Sequence, residues 1–183
     1  MLHVLRQAVA ALGAAICLTV ALVFPANSDA APSVEIYYAP EDLPGERLAA
    51  LYGNARHYIY VAIFGITYPP IVKALVAAHK RGVNVRVITD RERLNDPKQR
   101  TAVETLSLAG IPIKVNRHEN LMHLKQVVMD DEINTSGSMN QTGSGNRYND
   151  ERLDVFTDPV TSARARDKFL AMWKDTERYQ DWK

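Results

Sequence analysis

Cysteine is nearly absent from this chain: Cys17 is the only one among 183 residues. It falls in an apolar stretch near the amino terminus, so a body that begins after that stretch holds no thiol. Such a body has no disulfide, no thiolate nucleophile and no zinc–thiolate centre, and its stability must come from its core. An excess of either charge is also missing. Lys and Arg number 22 against 21 Asp and Glu, a net charge of +1. Global charge therefore gives no pull on a polyanion, and any such pull must come from local clusters. Internal repeats, low-complexity tracts and linkers are absent after the amino-terminal stretch. What remains is one domain of about 150 residues, enough for a sizeable core.

There is one long hydrophobic run. Met1 to Arg6 carries positive charge, Ala8 to Phe24 is almost unbroken apolar sequence, and Pro25 ends it. Ala26-Asn27-Ser28-Asp29-Ala30-Ala31 then supplies small residues. This layout is that of a secretory signal peptide over residues 1–30, cut after Ala30, with a cut after Ser28 as the alternative. The competing reading is an uncleaved membrane anchor, because the run is only slightly short of the ~20 residues that a spanning helix needs. The Ala-rich composition, and small residues where a stop would carry charge, favour cleavage. Cys17 lacks the preceding small residue of a lipoprotein signal. Residues 31–183 are then expected in a periplasm or outside the cell. Their net charge stays +1, because Arg6 and Asp29 leave together.

Along the body, strands and helices alternate. Val34–Tyr38, Tyr58–Phe64, Val83–Thr89, Ile111–Val115, Leu121–Asp130 and Leu153–Phe156 have strand composition. Helices are expected near Pro44–Tyr52, Pro70–Arg81, Lys98–Ala109 and Val160–Tyr179. Such alternation predicts an α/β fold, an α/β/α sandwich around a mixed, largely parallel sheet. The antiparallel element is a hairpin at Asp130-Asp131-Glu132. Phe169, Met172 and Trp173 form an apolar stripe at helical spacing, read as core or as a face toward a second copy.

The chemistry-bearing residues cluster late in the chain. His123 and Lys125 stand at i and i+2 on a predicted strand, so their side chains share a face. An imidazole beside a fixed ammonium is a poor core arrangement, since an unpaired buried charge is costly. It suits a phosphate diester: Lys125 attracts the non-bridging oxygens, and neutral His123 attacks phosphorus or moves a proton. Gly137-Ser138-Met139-Asn140 adds a hydroxyl and an amide that can donate to the same oxygens.

The full spacing, H-x-K-x4-D-x6-G-S-x-N from His123 to Asn140 followed by Asn149 and Glu151, resembles the HKD signature of the phospholipase D superfamily. The signature occurs once, as in the bacterial secreted endonuclease branch. In this family two half-sites face each other, so the resemblance implies a homodimer with a shared active site. It further implies that His123 of one copy is the nucleophile, forming a phosphohistidine, while His123 of the other protonates the leaving oxygen and then activates water. Lys125 and Asn140 would hold the phosphate with help from Ser138, and Glu151 would accept a hydrogen bond from the imidazole. Asn149 and Arg147 are further substrate contacts, and Asp130 and Gly137 serve the geometry of the motif. Two identical histidines with opposite roles imply a bell-shaped pH–rate profile, with no metal and no cofactor.

Three residues depart from the usual pattern beside the motif: Gln126, Gln141 and Arg152 stand where an apolar residue, an aromatic and Asn are common. They bear on packing and substrate preference. Away from the motif, the segment Asp90 to Arg93, with Lys98 and Arg100, could meet a polyanion backbone or be a solvated loop of mixed charge. Tyr148 could stack on a base or simply pack. His118-Glu119 with His123 mimics a zinc motif, but i, i+5 spacing on a helix sets the two rings about 140° apart. His57 and His79 read as structural.

The function expected is a metal-independent phosphodiesterase cleaving DNA with little sequence preference, RNA being left open. A lipid phosphodiesterase or phosphatidyltransferase is the rival, and it gains if the amino-terminal segment stays as an anchor. An inactive nucleic-acid-binding module is the third reading, and the complete motif argues against it.

Overall fold

The computed structural model describes residues 31–182, so the predicted leader at 1–30 lies outside the described residues. The chain order is β1 (Ser33–Ala39), α1 (Pro44–Asn54), β2 (Tyr58–Ile63), α2 (Pro69–Lys80), β3 (Asn84–Thr89) and a 3-10 turn (Glu92–Asn95). It continues with α3 (Pro97–Leu108), β4 (Ile113–Asn116), β5 (Lys125–Met129), β6 (Ile133–Gly137), α4 (Gly143–Arg147), β7 (Glu151–Thr157), α5 (Pro159–Lys174) and β8 (Tyr179–Asp181). Proline opens α1, α2, α3 and α5, where its fixed φ fits and its missing N–H costs nothing. Asp96 and Asp158 cap α3 and α5 by accepting from first-turn N–H groups.

β2 explains the layering. Its Ile59, Val61 and Ile63 point to one face and Tyr60 and Ala62 to the other, and all five are buried. Helices α1, α2 and α3 cover the first face through residues such as Leu48, Leu75, Val103 and Leu106. On the second face α5 lays Phe169 and Met172 over Tyr60, Ala62, Ile88 and Val128. Rings stack along that side: Tyr58–Tyr60 at 4.4 Å, Tyr60–Phe169 at 4.8 Å and Phe169–Trp173 at 5.7 Å. The predicted apolar stripe is therefore core within the chain. Arg86 and Lys114 lie over the outer ring, Trp173.

The sheet is mixed, in the order β1-β7-β6-β5-β2-β3-β4-β8. The expectation of a largely parallel sheet needs correction: β2/β3 and β3/β4 are the parallel neighbours, and the remaining pairs are antiparallel. Parallel strands need a crossover helix between them, and only α2 and α3 provide that service. After β4 the strands β5, β6 and β7 add antiparallel, and α5 carries the chain from β7 to β8 at the far edge of the sheet. The β5–β6 hairpin turns at Asp130 and Asp131, both with positive φ (54° and 58°), as the twist of a tight hairpin favours. β8 also escaped the sequence reading, which ran the last helix to Tyr179. Asp175 accepts from the N–H groups of Glu177 and Arg178, and the chain then adds an edge strand to β4.

Helix α5 does not cover the whole second face. Val34, Ile36 and Tyr38 of β1 stay 53%, 46% and 52% exposed. They stand opposite Phe156, Asp154 and Arg152 of β7, so this strip continues the face that α5 covers elsewhere.

Candidate active site

His123 lies just ahead of β5 rather than within a strand that starts at Leu121. Two contacts fix it there. Phe64, which follows β2, donates its N–H to the carbonyl of Leu124 at 3.0 Å. Asp90, at the end of β3, is fully buried; its carboxylate accepts from the N–H of Met122 at 2.7 Å and of Glu92 at 2.8 Å. The His123 ring then leans on Phe64, centroids 4.6 Å apart. Lys125 Nζ sits 2.9 Å and 3.0 Å from the two imidazole nitrogens and donates to the His123 carbonyl at 3.0 Å. An ammonium equidistant from both nitrogens cannot lie along both diverging in-plane lone pairs, so it rests against the ring. The shared face expected from i, i+2 spacing is present. Partial burial pushes the Lys125 ammonium below its ordinary pKa, with the charge of Glu151 acting the other way.

The Gly137–Asn140 turn supplies the opposite wall. Gly137 has φ +134°, and a Cβ there would stand 2.1 Å from the Arg152 carbonyl oxygen, so no other residue fits. That same carbonyl accepts from the N–H groups of Ser138 (3.0 Å) and Met139 (3.3 Å). Buried Met139 anchors the turn in the core. Asn140 Oδ1 accepts from the N–H of Gly65 at 3.1 Å, which leaves the amide NH2 unpaired among the described residues. Ser138 donates its hydroxyl to Glu151 and accepts from the N–H of Arg152 at 3.1 Å. Asn149 donates to the other Glu151 oxygen at 3.3 Å.

His123, Lys125, Gly137, Ser138, Asn140 and Glu151 all line one open cavity of about 970 Å³. Sequence reasoning missed two of its walls. Arg164 and Lys168 of α5 face the same cavity, and their i, i+4 spacing was the available signal. Phe64 was also missed, and Asp90, read with its neighbours as a polyanion contact or a solvated loop, is instead buried, since both roles depend on contacts remote in sequence.

Three expectations about individual residues change. Arg147 does not line this cavity. Its guanidinium donates to Glu46 at 3.1 Å and to the Tyr68 hydroxyl at 2.9 Å, because the short α4 aims it toward α1. Asn149 reaches the site only through Glu151. No hydrogen bond joins Glu151 to His123 among the described residues; the carboxylate oxygens accept from Ser138 and Asn149. Asp130 accepts backbone N–H bonds from Arg56 (2.7 Å), His57 (2.9 Å) and Tyr58 (2.8 Å), all away from the cavity.

The three departures beside the motif have structural partners. Gln126 donates to the Ala165 carbonyl of α5 at 3.1 Å, and buried Gln141 donates to the Tyr52 hydroxyl at 2.9 Å. Arg152 pairs with Asp154 at 2.6 Å and lies over Tyr38. Among the described residues no cluster of His, Cys, Asp or Glu could hold a metal ion. Chemically the cavity offers an exposed imidazole, an ammonium, a free amide NH2 and two further cations against one carboxylate. That set suits an oxyanion with a nucleophile beside it.

The sequence model of the family described as cardiolipin synthase, PLD-like domain, matches residues 48–173, from α1 to α5 and through every motif residue. This chain belongs to the phospholipase D superfamily. It is 27% identical over 129 residues to a mitochondrial cardiolipin hydrolase of Xenopus tropicalis, covering 70% of this chain and 60% of that one. It is 30% identical over 121 residues to a phospholipase D of Rickettsia bellii, covering 66% and 57%. The chain thus spans about three fifths of the length of these relatives. Among solved structures, the phospholipase D family member Nuc from Salmonella typhimurium superposes with a TM-score of 0.78 at 26% identity. That match covers 84% of this chain and 99% of Nuc. The α/β fold with a mixed sheet is shared with that phospholipase D family structure, and the HKD cluster lies within the aligned family region.

Proposed function

We propose that the protein is a phosphodiesterase that hydrolyses nucleic acid, DNA foremost, through His123 in a two-fold homodimer. The observation that carries this reading is the His123–Lys125 pair. It stands exposed, unpaired with any carboxylate, in a cavity whose other free donors are Asn140 and the cations of α5. An imidazole nitrogen attacks phosphorus, forming a P–N bond as the P–O bond to the leaving group breaks. His123 of the second copy gives its proton to that leaving oxygen. It then takes a proton from water, whose oxygen displaces the imidazole and releases a phosphate monoester. Lys125 and Asn140 neutralise the oxyanion throughout.

One HKD signature supplies one such histidine, and this reading takes the acid from a second copy. The uncovered strip on β1 suits that contact. Val34 faces Phe156 across the register, and Phe156 lines the cavity, so apolar surface and half-site are continuous. The match to Nuc over 99% of its length supports a compact enzyme built from this one domain. The names of the sequence relatives favour a second reading, a lipid phosphodiesterase acting on cardiolipin or another phospholipid. No helix of the described residues is long and apolar enough to cross a membrane. Export after removal of residues 1–30 remains the proposed location, and amino-terminal sequencing of the purified protein tests it.

The deciding experiment is nicking of supercoiled plasmid in excess EDTA, beside a His123→Ala variant and beside cardiolipin vesicles. The expected result is DNA cleavage that survives EDTA and is lost in the variant. Cardiolipin hydrolysis without DNA cleavage would replace the nuclease reading with the lipid one.

A further inference from the structure

A second cleft, of about 950 Å³, opens on the other side of Asn140 and Phe64 from the catalytic cavity. It brings together two features far apart in sequence. From the segment after β3 come Arg93 and Lys98, and from the end of α4 comes Tyr148; Lys73 of α2 completes the rim. Asn140, a residue placed to hold the reacting phosphate, lines both cavities. Phe64 bridges them: Arg93 lies 5.4 Å from its ring centre, Lys125 lies 5.3 Å away, and His123 leans on it.

Charge in this cleft is arranged for an anion. Its one acid, Asp96, is already occupied by Arg93 at 3.0 Å and by the N–H of Lys98 at 2.9 Å. Lys73 and Lys98 have no acidic partner among the described residues and face solvent. Tyr148 is 79% exposed at the lip, with no hydrogen bond on its hydroxyl among the described residues. A bare aromatic ring beside free cations is the combination that takes an unpaired base and its phosphate. The walls join apolar surface from Phe64, Val72 and Ala102 to the side chains of Thr67 and Ser144, whose hydroxyls have no partner among the described residues and can meet a sugar or a base edge. The volume lies in the upper range of ligand pockets.

We infer that this cleft is a subsite for the single-stranded nucleotides flanking the scissile phosphate, with the next phosphate on Lys98 and Lys73 and a base stacked on Tyr148. The inference rests on the nuclease reading above and deepens it. The strand enters past Phe64, which sets its direction relative to His123. Single strands are therefore cleaved in preference to duplex, because a paired base offers Tyr148 no free face. Cleavage efficiency also rises with length on one side of the bond.

The test compares kcat/KM for a single-stranded hexanucleotide with kcat/KM for bis(p-nitrophenyl) phosphate, a small diester with no flanking nucleotide. Tyr148→Ala and Lys98→Ala are each expected to lower that ratio about tenfold, and Tyr148→Phe to restore it. Binding is read separately on a His123→Ala background, by fluorescence anisotropy of the labelled hexanucleotide. There Lys98→Ala lowers the slope of log Kd against log salt by about 0.7 for each phosphate deprived of its cation. A wild type that cleaves the hexanucleotide, with a ratio unmoved in both variants, overturns the subsite and leaves the nuclease reading standing. A wild type that hydrolyses the small diester and cardiolipin but no oligonucleotide overturns both.

Discussion

The strand β5 carries a polar cluster at each end, and the two ends of its five residues are treated oppositely. Past Met129, the Asp130 carboxylate receives three backbone N–H groups and ties the entry of β2 to the β5–β6 turn. Ahead of Lys125, His123 and the ammonium have as polar partners only each other and a carbonyl, with the Phe64 ring beside both. Both clusters belong to one sequence signature at fixed spacing. What separates them is hydrogen-bond saturation. A carboxylate with its acceptor sites filled contributes stability and has no capacity left for a ligand. A cation beside an imidazole, with no carboxylate hydrogen-bonded to either, keeps that capacity for substrate. Stability is given up at such a site because the partner arrives from outside.

This contrast can be broken from either end. The largest effect is expected for His123→Ala: a fall in diester hydrolysis of at least about 10³-fold, with little change in the urea midpoint. A variant that unfolds more readily would show that the imidazole is structural. Asp130→Ala should reverse the pattern. Three N–H groups lose a charged acceptor, so about 2 kcal/mol of stability should disappear from urea melts. The rate per folded molecule should hold within about twofold, since Asp130 lies off the cavity. A selective loss of rate would instead make Asp130 part of the chemistry. The smallest effect sharpens the comparison at Lys125. Burial favours its neutral form, so as pH rises its proton leaves before that of an ordinary lysine, and the activity that needs the cation falls there. Lys125→Arg stays charged across that range. It should remove a further fall in rate at the most alkaline end, beyond the bell that the two histidines set, at a cost of about tenfold in rate for the altered head-group geometry. A fall that persists in Lys125→Arg would assign it to another group.

Much of the site was legible in the sequence because its geometry is local. His123 and Lys125 sit two apart on an extended segment, and extended backbone puts such residues on one face wherever it lies. Gly137 was legible as part of a motif, though the reason for it, the Arg152 carbonyl 2.1 Å from a hypothetical Cβ, was not. Arg147 was misjudged because its proximity to Asn149 in sequence says nothing of α1, where Glu46 and Tyr68 receive it. Glu46 itself is held below the usual carboxylate range. Burial pushes it up, but hydrogen bonds from Tyr68, Asn146 and Arg147 outweigh that. None of those partners could be named from spacing.

The sequence by itself determined the family, the α/β alternation, the shared face of the histidine and lysine on one extended segment, and the hairpin at Asp130. Each depends on periodicity or on spacing within a few residues, which backbone geometry converts directly into position. Tertiary structure decided the rest. It made the sheet mostly antiparallel, set buried Asp90 behind the histidine segment, and turned Arg147 away while bringing Arg164 and Lys168 in. It also joined Lys98 to Tyr148 across one cleft. These pairings span tens of residues, and only the packing of α5 and the order of the strands selects them among many arrangements that the local pattern allows.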